Sequence, residues 1–349
     1  MKAAVLHGQK DLRYEEIERP KAGEGEVVVR VRATGICGSD IPRVLGRAAH
    51  YYPIVLGHEF SGTVAEVGPG VTGLQEGQRV TAAPLCPCLQ CADCQRGNYS
   101  LCKHYKFIGS SVYGSFADFV KVPARNIVPF SEEVDFVRAA FFEPSTVGLH
   151  GLFCAGYQGG EHVAILGGGT IGLFTMLWAR LLGAKSVSVF DISDARLSLA
   201  KKMGADRVYN TAREDFLEEA LAETGGEGFP FVFETAGQNA TMSLAFDAAA
   251  NRASVCFIGT SSRDLQFPWK QFEKMNRKEF RLTGSWMSYS APFPGREWQM
   301  TAEYLGSGRL TLDDALVWKK FPMSEAAKAF SLYETPGAVG GKIMLVNEE

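Results

Sequence analysis

Five of the eight cysteines fall between Cys86 and Cys102. Cys88, Cys91, Cys94 and Cys102 are spaced x2, x2 and x7. Four thiolates in one lobe can close a tetrahedron around Zn²⁺, with Zn–S distances of about 2.3 Å. Such a closed shell leaves no position for a substrate, so the metal would hold structure. Four cysteines can also carry an iron–sulfur cluster, but nothing else in the chain points to electron transfer. Cys86 is the spare thiol, and on spacing alone it could replace Cys88. An odd number of clustered cysteines cannot all pair with one another, and a reducing compartment disfavours disulfides.

A second constellation is Gly167-x-Gly169-x-x-Gly172. It follows the apolar run His162–Leu166 and opens an apolar helix running to Leu182, the context that a dinucleotide-binding turn requires. The first glycine permits the tight turn, the second lets the backbone approach a pyrophosphate, and the third lets helix pack on strand. Thr170 and Ile171 begin the helix, whose free N–H groups would face the phosphates. The next apolar run ends at Asp191, 19 residues beyond Gly172. A carboxylate there accepts from both ribose hydroxyls and repels a 2′-phosphate, which favours NAD over NADP. Arg196 could stack on adenine or soften that preference. Thr235 and Gly259 end later strands of the same region and are candidate contacts on the nicotinamide side.

A third set is scattered: Cys37 in Cys-Gly-Ser-Asp, His58-Glu59 in Gly-His-Glu, and Glu143 in Phe-Glu-Pro. Thiol, imidazole and carboxylate are the donor types of an open zinc site, but spacing alone does not unite residues so far apart.

Two kinds of element must position these groups. The first 150 residues read as β-rich, with strands expected at Glu26–Arg32, Phe60–Val67, from Gly77 to Thr81, and over Gly114–Val122. From about residue 160, short apolar runs alternate with helices, at 162–166, 186–190, 207–209, 230–234, 254–258 and 281–283. That alternation predicts a doubly wound parallel sheet and hence an α/β class. Ser193 is the expected N-cap of one helix and Gly204 its C-terminal stop. The tail beyond about Trp286 breaks the alternation and ends in a strand at Lys342–Val346, so it is assigned to the first domain.

The remaining bounds are broad. A chain of 349 residues suggests two domains. With 36 basic and 39 acidic residues the net charge is −3, which argues against broad nucleic-acid or anionic-membrane binding. The stretch Ala164–Ala184 contains glycines and Arg180, so it reads as strand, turn and buried helix rather than a membrane span. No apolar signal segment opens the chain, and a cytoplasmic enzyme is the expectation.

Taken with Gly57-His58-Glu59-x2-Gly62-x5-Gly68-x2-Val71, with Cys37-Gly-Ser-Asp40, with the cysteine lobe and with the Gly167 turn, the chain resembles the zinc-dependent medium-chain alcohol and polyol dehydrogenases over essentially its whole length. Gln78, where that family commonly has Asp, is a departure. The resemblance implies a GroES-like β-rich catalytic domain at 1–150 and 288–349, with a Rossmann NAD-binding domain at 151–287. It implies two Zn²⁺ per chain, one structural and one catalytic, and NAD as cofactor. Cys37, His58 and Glu143 become ligands of the catalytic zinc, with Glu59 a direct ligand or one alternating with water. Asp40 would hydrogen-bond the free nitrogen of His58. The zinc would acidify a substrate alcohol, Ser39 would carry its proton away, and NAD would accept the hydride. Ala49–Ile54, Phe107–Ser110, Glu143–His150 and the stretch from Gly284 point, within the family, to a polyol phosphate as substrate. Arg43, His50, Tyr51 and Trp286 are then candidate substrate contacts, with Arg47 and Lys270 as further basic candidates. A homo-oligomer, dimer or tetramer, is expected, with no nucleic-acid or membrane partner.

Overall fold

In the computed structural model, which describes residues 1–335 and 337–347, the chain divides into two compact units. Met1–Glu143 and Tyr289–Glu349 make the first, and Pro144–Ser288 the second. The boundary expected at 150/151 thus falls at 143/144, in the first turn of the helix Phe142–Cys154.

The first unit begins with ten strands: β1 (Lys2–Gly8), β2 (Asp11–Glu16), β3 (Glu26–Gly35), β4 (Ile54–Val55), β5 (Glu59–Val67), β6 (Arg79–Ala82), β7 (Leu85–Cys86), β8 (Lys106–Phe107), β9 (Phe119–Pro123) and β10 (Ile127–Pro129). β3 is rich in valine, as a strand buried on both faces should be. Its Val27, Val29 and Val31 pack with Phe60, Val64, Val80 and Val122. The expected strand at Gly114–Val122 is regular only from Phe119. Before that, the N–H groups of Gly114, Ser115 and Phe116 donate to Val55, Gly57 and Leu56 at 2.8–2.9 Å. Those bonds are spent on fixing the backbone that leads into His58 instead of on a longer ladder.

The second unit supplies β11 (His162–Leu166), β12 (Ser186–Asp191), β13 (Arg207–Asn210), β14 (Phe229–Glu234), β15 (Ala249–Phe257) and β16 (Arg281–Gly284). They form a parallel sheet in the order β13-β12-β11-β14-β15-β16. This is the doubly wound order with a switch point between β11 and β14. Leu166 lies level with Phe190 on one side and Glu234 on the other, so the ends of three strands share one edge. The helix Asp194–Lys202 is capped by the Ser193 side chain, and Gly204 follows it at φ +108°.

The chain then returns to the first unit as β17 (Val317–Pro322) and β18 (Lys342–Val346). β18 pairs parallel with β17 and antiparallel with β3, opposing Met344 to Gly35. Gly35 in turn opposes Glu59 of β5. The last strand therefore ends up beside the two strands that lead to Cys37 and carry Glu59. Among the described residues no helix is long and apolar enough to cross a membrane.

Trp178 is fully buried in the second unit, and its Nε1 donates to Ser145 Oγ at 3.0 Å. Trp178→Ala should cost about 3–5 kcal/mol by removing that side chain from a close-packed interior, read as a lowered urea midpoint.

Candidate active site and metal centres

The four cysteines of the lobe meet. Cys88 and Cys94 sulfurs lie 3.9 Å apart, as do those of Cys91 and Cys102. A tetrahedron with Zn–S bonds of about 2.3 Å has sulfur–sulfur edges of about 3.8 Å; these two edges match it, and all four sulfurs lie within 4.8 Å of one another. Backbone N–H groups of Cys88 and Cys91 point at sulfurs of the set, at 3.3 and 3.4 Å, as they would at thiolates. The Cys91 thiol is drawn down to about 6, chiefly by the backbone N–H of Cys94. Cys86 stands outside, on β7. It accepts a long contact from Asn126 Nδ2 at 3.7 Å, and burial pushes its thiol up to about 11.

The scattered set also converges. Donor atoms of Cys37, His58 and Glu59 all lie within 4.8 Å of one another. Glu143 is not in that tight group, but it lies close enough to His58 and Glu59 to feel their charge. Burial pushes its carboxyl up to about 7, and burial, with Glu59 beside it, pushes the Cys37 thiol well above its usual range. A buried cluster of groups that must ionise to bind metal is short of positive charge, and a cation among them reverses both shifts. The residues present thus fit a zinc ion.

One positive charge is already there. Lys342 of β18, absent from the expectations above, donates to both oxygens of Glu59, at 2.8 and 2.6 Å, and to the Ile36 carbonyl at 3.1 Å. Both side chains are buried, at 6% and 2% exposure. Burial would lower the Lys342 pKa, but Glu59 and Cys37 outweigh it, so the amine is held charged. A side chain at Gly35 would collide with Glu59 Oε2, which is why this close approach needs glycine. Nothing in the local sequence marks Lys342, because its partner is 283 residues away.

Asp40 does not make the expected bond to His58. Its Oδ1 lies 3.7 Å from His58 Nδ1, and neither atom has a hydrogen-bond partner. Oδ2 instead accepts from the Cys37 backbone N–H at 3.1 Å and so shapes the ligand loop. Phe107 meets the His58 ring edge-on at 5.4 Å.

Ser39 Oγ lies 3.3 Å from Cys37 Sγ and accepts from Arg43 Nη1 at 2.9 Å. Arg43 also donates to the Ser39 carbonyl, and its Nη2 to Ser110 Oγ at 3.3 Å. Arg43 is thus braced against the site. Arg47 donates to Gln9 and is exposed. His50 is exposed, and Tyr51 donates to the Ser111 carbonyl at 3.4 Å. Trp286 and Lys270 belong to the second unit; Trp286 is 49% exposed, so it is not a core side chain, and Lys270 lies over the Trp269 ring.

In the second unit the glycine turn is tied to both neighbouring strand ends. Asp191 Oδ2 accepts from Gly168 N at 2.8 Å, and Oδ1 accepts from Ser193 N at 2.9 Å. Arg196 Nη1 lies 3.6 Å from the same carboxylate. Thr235 Oγ1 donates to the Leu166 and Gly167 carbonyls at 3.1 and 3.0 Å. Any side chain on Gly172 would strike the Gly167 carbonyl, the close helix–strand approach a dinucleotide turn uses. Thr170 and Ile171 open the helix Thr170–Leu181 behind that turn.

Comparison with known proteins agrees with this geometry. Residues 23–132 match the alcohol dehydrogenase GroES-like domain, and residues 170–303 match the zinc-binding dehydrogenase domain. The chain belongs to the zinc-dependent medium-chain alcohol dehydrogenase family. As a member it is an oxidoreductase with a GroES-like domain and a Rossmann-type sheet. It is 38% identical to galactitol 1-phosphate 5-dehydrogenase of Escherichia coli (strain K12), over 93% of each chain. It is 34% identical to a sorbitol dehydrogenase of Bacillus subtilis, over 76% of each. The crystal structure of galactitol-1-phosphate dehydrogenase from Escherichia coli superposes with a TM-score of 0.94, covering 99% of this chain and 100% of that one.

Two measurements check the metal sites. Cys102→Ser should lose one zinc equivalent by elemental analysis, whereas Cys86→Ser should keep the wild-type content. Lys342→Met leaves Glu59 a buried anion without its cation, so it should destabilise the first unit by about 3–5 kcal/mol, with Lys342→Arg milder.

Proposed function

We propose that the protein is an NAD-dependent zinc polyol-phosphate dehydrogenase that oxidises galactitol 1-phosphate at C5 to tagatose 6-phosphate, with two zinc ions per chain. The observation that carries this reading is the convergence of Cys37, His58 and Glu59 beside Glu143, in a chain so similar to enzymes acting on sugar alcohols. Cys88, Cys91, Cys94 and Cys102 would hold the structural zinc. Cys37, His58 and Glu143, the set that the family resemblance implies, would hold the catalytic one, and charge counting supports it. The Cys37 thiolate and the Glu143 carboxylate together balance a divalent cation, and His58 adds a neutral donor. Glu59, paired with Lys342, would be either a further direct ligand or one alternating with water.

Bound zinc supplies a Lewis acid that acidifies an alcohol, and bound NAD supplies the hydride acceptor. The protein's own groups do the rest. Ser39, in the ligand loop and exposed, would relay the substrate's proton by accepting it while releasing its own hydroxyl proton to solvent, and Arg43 holds its hydroxyl in position. The permanent charge of Arg43 also favours a deprotonated oxygen nearby. Phe107 shields the His58 edge from water. The Gly167–Gly172 turn with Thr170 and Ile171 would take the pyrophosphate, and Asp191 the ribose hydroxyls. Arg196, beside Asp191, would cover the adenine. Thr235 and Gly259 line the nicotinamide half.

Arg43 is the basic candidate that the structure sets at the ligand loop, and with His50 and Tyr51 it would read the polyol. Phosphate recognition calls for such a bidentate donor. A free polyol such as sorbitol is the second reading, favoured by the partners Arg43 already has on both nitrogens. The β16 edge of the second sheet, with Leu282 exposed, supports the expected homo-oligomer.

Steady-state kinetics on free and phosphorylated hexitols and pentitols decide the substrate. The phosphorylated hexitol should show a much higher kcat/KM, and Arg43→Ala should raise KM chiefly for it. Equal efficiency on sorbitol and galactitol 1-phosphate would remove the phosphate reading. Cys37→Ser should abolish turnover while leaving NADH binding close to wild type, as titrated by fluorescence. Asp191→Ala should weaken NAD⁺ and relax rejection of NADP⁺; a wild type that prefers NADP⁺ would overturn the cofactor assignment.

A further inference from the structure

Two carboxylates stand at the C-terminal edge of the parallel sheet. Asp191 ends β12 on the side of the glycine turn. Glu234 ends β14 and has no role in the mechanism above. It is fully buried. Its Oε1 accepts from Ala236 N at 2.9 Å, Gly237 N at 2.8 Å and Thr241 Oγ1 at 2.6 Å. Its Oε2 has no hydrogen-bond partner, and among the described residues no cation is paired with it. Gly259 closes over that second oxygen; a Cβ there would stand 2.6 Å from it.

A buried carboxylate without a counter-ion is costly, and a purely structural turn could be held by an amide. Burial pushes the Glu234 carboxyl up, while Thr241 and the N–H groups of Ala236, Gly237 and Gln238 pull it back. Three donors converging on one oxygen favour the ionised form of the acid. The donors thus favour a negative charge at this edge, against burial, and leave one oxygen of the carboxyl uncommitted.

The sheet order says what that charge faces. A dinucleotide lies across the switch point between β11 and β14, one mononucleotide to each half. Asp191 and the glycine turn mark the adenosine half. β14, β15 and β16 make the other, which takes the nicotinamide nucleotide. The nicotinamide ring is positively charged when oxidised and neutral when reduced.

We propose that Glu234 is a buried anion that favours the oxidised nicotinamide over the reduced one, and so biases the redox balance of the bound cofactor. The proposal rests on the NAD reading above. It makes Glu234 a positioning and electrostatic residue of the cofactor site, acting on the ring's charge through the protein interior.

The test is Glu234→Gln, which keeps the side chain's shape and an oxygen for the three donors. Dissociation constants for NAD⁺ and NADH are measured by calorimetry and fluorescence, with melting temperature followed in parallel. The variant should weaken NAD⁺ roughly tenfold while NADH stays within about twofold, the scale of one unit charge about 12 Å away at an effective dielectric of about 20. Thr241→Val, at the exposed start of its helix, removes one donor without removing the acid. The charge then remains with less screening, so the ratio should move toward NAD⁺ by about twofold, opposite to the glutamine variant, and this arm serves if the glutamine variant does not fold. Equal changes for both cofactor forms, or no change in the ratio, would overturn the proposal and leave a structural turn. The wild type bears separately on the NAD reading: if it binds NADP⁺ in preference to NAD⁺, that reading fails, and the oxidised-to-reduced ratio is then read with NADP⁺ and NADPH.

Discussion

The buried pair of Glu59 and Lys342 governs the first unit. Neither charge could be left in that interior alone, because stripping water from an ammonium or a carboxylate costs several kcal/mol. Together they are satisfied. Lys342 Nζ spends its donors on both carboxylate oxygens and on the Ile36 carbonyl. Its position requires β18 to lie against β3, which brings the end of the chain back to the first unit. It also requires Gly35, since any side chain there would occupy the carboxylate's place. The loop that follows Gly35 carries Cys37, and the strand that carries Glu59 begins one residue after His58. One ion pair thus sets the registers of three strands and the spacing of three metal donors.

The same pair explains how so many anions share one small space. Burial raises the proton affinity of Cys37, Asp40 and Glu143, and the Glu59 carboxylate beside them adds to it. Lys342 offsets one of the charges, and a divalent cation would offset two more. Asp40 has the Cys37 N–H and the nearby Arg43. Arg43 reaches past it to Ser39, so the cation that steadies the ligand loop also orients the hydroxyl closest to the metal donors. Stability and chemistry here use the same charges.

The second unit applies a similar economy at a strand edge. Parallel pairing brings Leu166, Phe190 and Glu234 level. That leaves the glycine turn held from one side by the Asp191 carboxylate and from the other by the Thr235 hydroxyl. A turn fixed on both flanks presents its N–H groups at little entropic cost to a phosphate.

Local chemistry was legible in the residues themselves. The four cysteines lie within one short lobe, so their spacing alone carries a tetrahedral shell, and the contact distances agree. The glycine turn, the Asp191 strand end, the Ser193 cap and the Gly204 stop are all decided within a few residues, where backbone sterics and nearby donors dominate. The grouping of Cys37, His58 and Glu143 rested only on resemblance, because no periodicity relates positions so far apart; the fold clusters Cys37 and His58 with Glu59. Tertiary structure alone decided the rest. It shortened the strand after Gly114, whose N–H groups serve the His58 loop instead. It turned Asp40 toward the Cys37 backbone rather than the His58 ring. It braced Arg43 on Ser39, left Cys86 outside the lobe, and buried Glu234 without a cation. Above all it chose Lys342, one lysine among many in the sequence, as the partner of Glu59. A lysine's charge is the same everywhere along a chain. Its energetic meaning depends on which carboxylate the fold brings to it and how much water the fold removes.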